Sequence, residues 1–161
     1  MANITAALKA SSGNSQRGRN VYYVDNVIDL TANSINPSTA DTIQAITVPA
    51  NTLVVAAGLQ VVDSATMNSG TNATASLGLT GVDPDEFVAL FDIDGAADGA
   101  YAPQIAITGL TASTSADTID VLLAGTGTSF TAGKIRVYAM LMDISDQGDM
   151  SANEVDRDTL A

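Results

Sequence analysis

Six carboxylates fall within sixteen residues of this chain: Asp83, Asp85, Glu86, Asp92, Asp94 and Asp98. Two carboxyl groups are all a glycosidase needs, one to donate a proton and one to act as base or nucleophile. Clustered carboxylates are also the natural ligands of Ca²⁺, a hard cation that takes oxygen donors. Both chemistries meet objections. A sugar cleft stacks its substrate on aromatic rings, and the chain has three Phe, four Tyr and no Trp. Asp92-Ile93-Asp94-Gly95 opens like an EF-hand loop, but Ala96 stands where the third acid belongs, the glycine comes early and no Glu closes the loop. Asp92, Asp94 and Asp98 are the metal candidates that remain. The simpler expectation is a solvated acidic stretch that keeps a sheet edge from sticking to other sheets.

Other catalytic chemistry lacks its parts. General acid–base work most often falls to His, and the chain has none. Without Cys there is no thiolate nucleophile and no disulfide, and without both there is no zinc site of the usual kind. Serine nucleophiles need an adjacent base. The only lysines are Lys9, in a polar opening segment, and Lys134, close to Arg136 at a strand entrance. The phosphate-cradling motifs G-x-x-x-x-G-K-[ST] and strand-embedded G-x-G-x-x-G are absent. The expectation is a non-enzymatic protein with no cofactor.

Charge narrows the partners. Six basic residues face 18 acidic ones, a formal net charge of −12. Nucleic-acid affinity rests on cations displacing counterions, so neither DNA or RNA nor an anionic membrane is expected as a partner. The uncharged run 42–62 carries Gln44, Pro49, Asn51 and Gln60, which suits two strands around a turn rather than a membrane span. The opening residues lack the apolar core and cleavage site of a secretory signal. At 161 residues the chain suits one domain.

The elements that would position any site read as strands. Residues 1–20 hold Lys9, Arg17 and Arg19 with no acid before Asp25, so a basic N-terminal arm that docks on something acidic is expected there. A strand over 21–30 places Tyr22, Val24, Ile28 and Leu30 on one parity. Pro37 marks a turn, and strands follow at 42–48 and 53–62 on either side of Pro49-Ala50-Asn51. A polar loop is expected at 67–72, then a half-wet strand through Ala73, Ala75, Leu77 and Leu79. Asp83-Pro84-Asp85-Glu86 looks like a helix start, with Phe87, Leu90 and Phe91 at helical spacing and an end near Gly95. Further strands are expected at 104–110, 118–124 and 134–144, before an acidic C-terminal tail over 145–161. The sum is an all-β chain: a β-sandwich, jelly-roll-like, over 21–144, with a short helix and flexible N- and C-terminal segments. An immunoglobulin-like sandwich would show similar spacing.

Strands 53–62 and 134–144 are apolar on both faces. A two-layer sandwich buries only one face of each sheet, and a monomer seldom leaves a large apolar patch in water. The outer face of the last strand therefore supplies oligomer-interface candidates: Arg136, Tyr138, Met140 and Met142. The plainer alternative is that the short helix or the arm covers that face.

Several segments resemble the decoration (cement) proteins of tailed-bacteriophage heads. They are Val21-Tyr22-Tyr23-Val24 after the basic arm, the run from Ile46-Thr47-Val48-Pro49-Ala50-Asn51 to Leu53-Val54-Val55-Ala56-Ala57-Gly58, Ala116-Asp117-Thr118-Ile119-Asp120-Val121, and Phe130-Thr131-Ala132-Gly133-Lys134-Ile135-Arg136-Val137-Tyr138-Ala139. The resemblance is one of style across most of residues 20–144: Ala/Thr/Gly/Val-rich strands, few aromatics and strong acidity. It implies a homotrimer on the outer surface of the capsid, clamping the major capsid protein. Lys9, Arg17, Arg19, Tyr22 and Tyr23 are then the capsid-contact candidates. Another part of the same particle (tail tube, head fibre or receptor-binding protein) and a carbohydrate-binding β-sandwich module are the alternatives.

Overall fold

In the last long segment of the chain, Ile135, Val137, Ala139 and Leu141 are at most 1% exposed, and the residues between them face away. That alternation, repeated strand after strand, builds the molecule. The computed structural model describes residues 20–32, 35–70, 72–79, 83–105 and 111–144. The arm, the tail and residues 106–110 of the strand expected at 104–110 lie outside the described residues.

Eight strands follow in order: β1 (Tyr22–Asp29), β2 (Thr42–Val48), β3 (Thr52–Met67), β4 (Ala73–Leu79), β5 (Asp83–Asp92), β6 (Thr111–Ser113), β7 (Asp117–Gly125) and β8 (Phe130–Asp143). A single 3-10 turn, Pro37–Thr39, interrupts them among the described residues. The strands form two four-stranded sheets, ordered β1-β8-β3-β6 and β2-β7-β4-β5. Every ladder is antiparallel.

The pairing has a simple logic. β4 pairs with β5, β3 with β6, β2 with β7 and β1 with β8, which are the rungs of one long hairpin. Two more ladders, β3 with β8 and β4 with β7, roll that hairpin into two layers. This is the jelly-roll arrangement. Inward residues of both sheets meet in one core that includes Val54, Leu59 and Val61 from β3, Leu77 from β4, and Val121 and Leu123 from β7. Asn26 ties the layers at one side, donating its side-chain amide to the carbonyl of Ala45 at 3.0 Å.

Turn chemistry matches the sequence. Asn36 accepts from the backbone N–H of Ser38, with Pro37 at the first helical position. Asn51 takes φ 57° in the crossing from β2 to β3, a conformation Asn tolerates.

Three expectations are corrected. The segment 83–92 is a strand, not a helix. Its helical spacing is overridden by the open side of β4, whose N–H and C=O groups need a partner. Register shifts in that ladder bury Phe87 and Val88 side by side and turn Leu90 outward, 67% exposed. Pro84 is tolerated because it stands near the start of an edge strand. Second, β3 continues to Met67, with bulges that let Asp63 and Thr66 stay wet while Ala65 stays buried. Third, Gln104 and Ile105 belong to no strand, and the strand found after them, β6, is three residues long.

Gly78 permits the close start of β5. A side chain there would collide with the backbone of Asp83 and Pro84. Leu77, beside it, is fully buried in the core. Leu77→Ala is expected to cost about 2–5 kcal/mol, read as a lower midpoint in urea denaturation.

Candidate functional site

The outer face of the first sheet is made by the outward parity of three strands. β1 supplies Tyr23, Asp25, Val27 and Asp29. They register against Met140, Tyr138, Arg136 and Lys134 of β8, which in turn register against Ala56, Gly58, Gln60 and Asp63 of β3. Across the strands this gives bands of different chemistry, charged at one end and apolar at the other.

The charged band is built from Lys134, set between Asp29 and Asp63, and Arg136, whose Nε lies 3.3 Å from Asp25 Oδ2. Arg136 Nη1 also donates to Gln60 Oε1 at 3.0 Å, and Gln60 Nε2 donates to the carbonyl of Gly99 at 3.3 Å. The middle band is aromatic. The Tyr23 and Tyr138 rings lie nearly parallel with centroids 6.2 Å apart, and Tyr101 meets Tyr138 edge-on at 6.1 Å. Three of the chain's four tyrosines thus converge. The apolar band holds Met140, flanked by Tyr23 and Ala56, and Met142 opposite Leu53.

Gly58 makes the aromatic band possible. A Cβ there would collide with the Tyr138 ring and hydroxyl and come within 2.8 Å of Gln104 Nε2. Tyr138 therefore lies across β3, and Gln104 Nε2 donates to both the Ala57 carbonyl (3.0 Å) and the Tyr138 hydroxyl (3.4 Å). Burial, and then the neighbouring Tyr101 and Tyr23, push the Tyr138 phenol above its ordinary pKa. The segment carrying Tyr101 is fixed along β3 by backbone bonds, among them Val61 N–H to Ala100 O at 2.8 Å and Ala102 N–H to Leu59 O at 2.9 Å.

The structure thus brings Arg136, Tyr138, Met140, Met142 and Tyr23 onto one surface. Tyr22 has the opposite parity, at the open end of β1. Lys9, Arg17 and Arg19 lie outside the described residues. Sequence reasoning missed Tyr101, Gln104, Gln60 and Gly58. A tyrosine amid the small residues 95–102 was the one available signal, because so aromatic-poor a chain has few to spare.

The metal candidates Asp92, Asp94 and Asp98 bond to the backbone. Asp92 Oδ1 accepts from the N–H groups of Gly95 (2.8 Å) and Asp94 (3.2 Å). Asp94 Oδ1 accepts from Ala73 N–H at 2.7 Å, and Asp98 Oδ1 from Ser64 N–H at 2.8 Å. Each carboxylate caps different backbone groups. Among the described residues no group of three His, Cys, Asp or Glu side chains is placed to hold a metal ion.

No protein-family model matches this chain, and no curated protein does. Three capsid chains share its fold. A chain of the cyanophage Pam1 capsid asymmetric unit superposes with a TM-score of 0.63 at 18% identity, over 88% of this chain and 97% of that one. A chain of the Ralstonia phage GP4 capsid gives 0.59 at 20%, over 84% and 97%. A chain of the acidic stable capsid of Helicobacter pylori bacteriophage KHP30 gives 0.54 at 12%, over 78% and 89%. At these identities the likeness is one of architecture.

Two predictions follow from the geometry. Gly58→Ala should displace Tyr138 and change the near-UV circular dichroism, leaving the far-UV spectrum intact; an unchanged tyrosine signal would refute the contact. The N–H of Gly95, and then Asp94, hold the Asp92 carboxyl below the ordinary carboxylate range. A carboxyl lowered in the fold contributes stability above its unfolded pKa of about 3.9 and loses it as pH falls through the lower folded value. Asp92→Asn keeps the acceptor oxygen, so melting temperature followed below about pH 4 should fall less steeply than in wild type. Equal slopes would remove Asp92 from this account.

Proposed function

We propose that the chain is a non-enzymatic virion structural protein, a capsid decoration protein that oligomerises, as a trimer, on the outer surface of a phage head and stabilises the shell of major capsid protein. The observation that carries this reading is the fold correspondence. In each of the three phage capsids the shared architecture spans 89–97% of a separate chain. That favours a small independent capsid component over one domain of a larger shell protein.

The outer face of the first sheet supports the adhesive part of the reading. Tyr, Met and Arg are the residue types enriched at protein interfaces, and all three cluster there. Tyr23 is 58% exposed, Tyr101 61% and Met140 42%, a surface that gains by being covered. The net charge of −12 suits a position away from packaged nucleic acid. The work is thermodynamic: a protein that binds only the assembled shell stabilises it by mass action, and an oligomer engaging several subunits adds avidity.

The exposed tyrosines also favour a second reading, a carbohydrate-binding module without a metal. Soluble oligosaccharides that raised the melting temperature would support it over the first.

The decisive experiment mixes the purified protein with phage heads assembled without it. Co-sedimentation and a raised melting temperature of the heads are expected; a protein that neither binds nor protects them is not a decoration protein. Removal of residues 1–19, which carry Lys9, Arg17 and Arg19, should weaken head binding at least tenfold and leave the melting temperature of the free protein nearly unchanged. Equal binding by the truncated chain would show that the arm is not a capsid contact.

A further inference from the structure

A cyclic trimer joins two different patches on every copy, because only two-fold contacts are self-complementary. The described surface offers two such patches, one on the outer face of the first sheet and one along β5 of the second. Exposed large apolar side chains gather on or beside the first sheet, with Tyr23, Val27, Tyr101 and Met140 among them, and on or beside the edge strand β5 of the second sheet, where Leu90 and Ile105 stand out. Ile105 is held there by its N–H bond to the Phe87 carbonyl of β5 at 2.9 Å.

Charge divides the surface the same way. Lys134 and Arg136 are the two basic residues among the described ones, and both lie on the outer face of the first sheet. With Asp25, Asp29 and Asp63 they leave that face close to neutral, two cations against three carboxylates. The β5 edge is purely acidic, with Asp83, Asp85 and Asp92 all exposed. When two strongly negative bodies meet, contact costs least where one of them carries its cations. An Arg guanidinium has five donors, so Arg136 can meet a carboxylate from outside besides Asp25 and Gln60.

We infer that copies of this chain associate head to tail, the outer face of the first sheet on one copy seating the acidic β5 edge, with Leu90, of the next. This rests on the oligomeric part of the proposed function and names its two surfaces. Pro84 and the flanking carboxylates keep β5 from pairing as a ninth strand, so the contact is made by side chains.

The test uses two variants, Met140→Asp on the face and Leu90→Asp on the edge. Both positions are exposed, and far-UV circular dichroism with melting temperature confirms that each variant folds. Light scattering should show a wild-type trimer and two monomeric variants. Their equimolar mixture should give dimers and nothing larger, because one intact face meets one intact edge and the ring cannot close. A Leu90→Asp variant that keeps the wild-type assembly while Met140→Asp loses it would overturn the inference in favour of face-to-face contact. A wild-type trimer untouched by either change overturns the inference and leaves the decoration reading standing. A wild-type monomer overturns it as well, and if that monomer also ignores heads assembled without it, the decoration reading falls too.

Discussion

The ladder between β3 and β8 is the constraint on which the molecule depends. It is the longest pairing in the structure, running from Thr52 opposite Asp143 to Met67 opposite Phe130. It also joins segments far apart in sequence, so loop-closure entropy must be met before the ladder stabilises anything. The inner sides of the two strands, with Leu59, Val61, Ile135 and Val137, form one wall of the core. Their outer sides carry the aromatic and thioether bands. One pairing thus fixes both the register of the core and the layout of the exposed face. A one-residue slip would exchange the two sets.

Asp92, Asp94 and Asp98, the metal candidates of the sequence, fasten backbone N–H groups. A chain with 18 acids and six bases has few ion pairs to make, and it spends carboxylates on backbone N–H groups instead. Asp94 reaches the start of β4 from the end of β5, and Asp98 reaches into β3. Asp29 and Asp41 likewise hold nearby hydroxyl and backbone N–H groups, and both carboxyls are lowered as a result, by Thr31 and Thr39 first. Acids arranged this way look like a catalytic or metal cluster in sequence, because both uses favour turns.

Much of the architecture was legible in the amino-acid order. Period-two runs such as 134–144 and 53–61 located β8 and most of β3, and Asn36-Pro37 and Pro49-Ala50-Asn51 located turns. The strand at 83–92 was not legible, since local spacing pointed to a helix and only the unpaired side of β4 reversed it. The candidate face was half legible. Arg136, Tyr138, Met140 and Met142 follow from parity along one strand, whereas Tyr101 and Gln104 arrive through a tertiary path along β3 that no local pattern encodes. Gly58 read as one more small residue; its role appears only when Tyr138 is seen lying over it.

The rolled hairpin leaves its first and last strands as neighbours, with Tyr22 at the head of β1 opposite Leu141 near the foot of β8. Tension applied between the two chain ends would therefore enter at a single corner and pull the ladder apart rung by rung, the weakest way to load a sheet. Anchoring by one end alone leaves that zipper unstressed, and a load applied through the faces of the sheets would bypass it altogether.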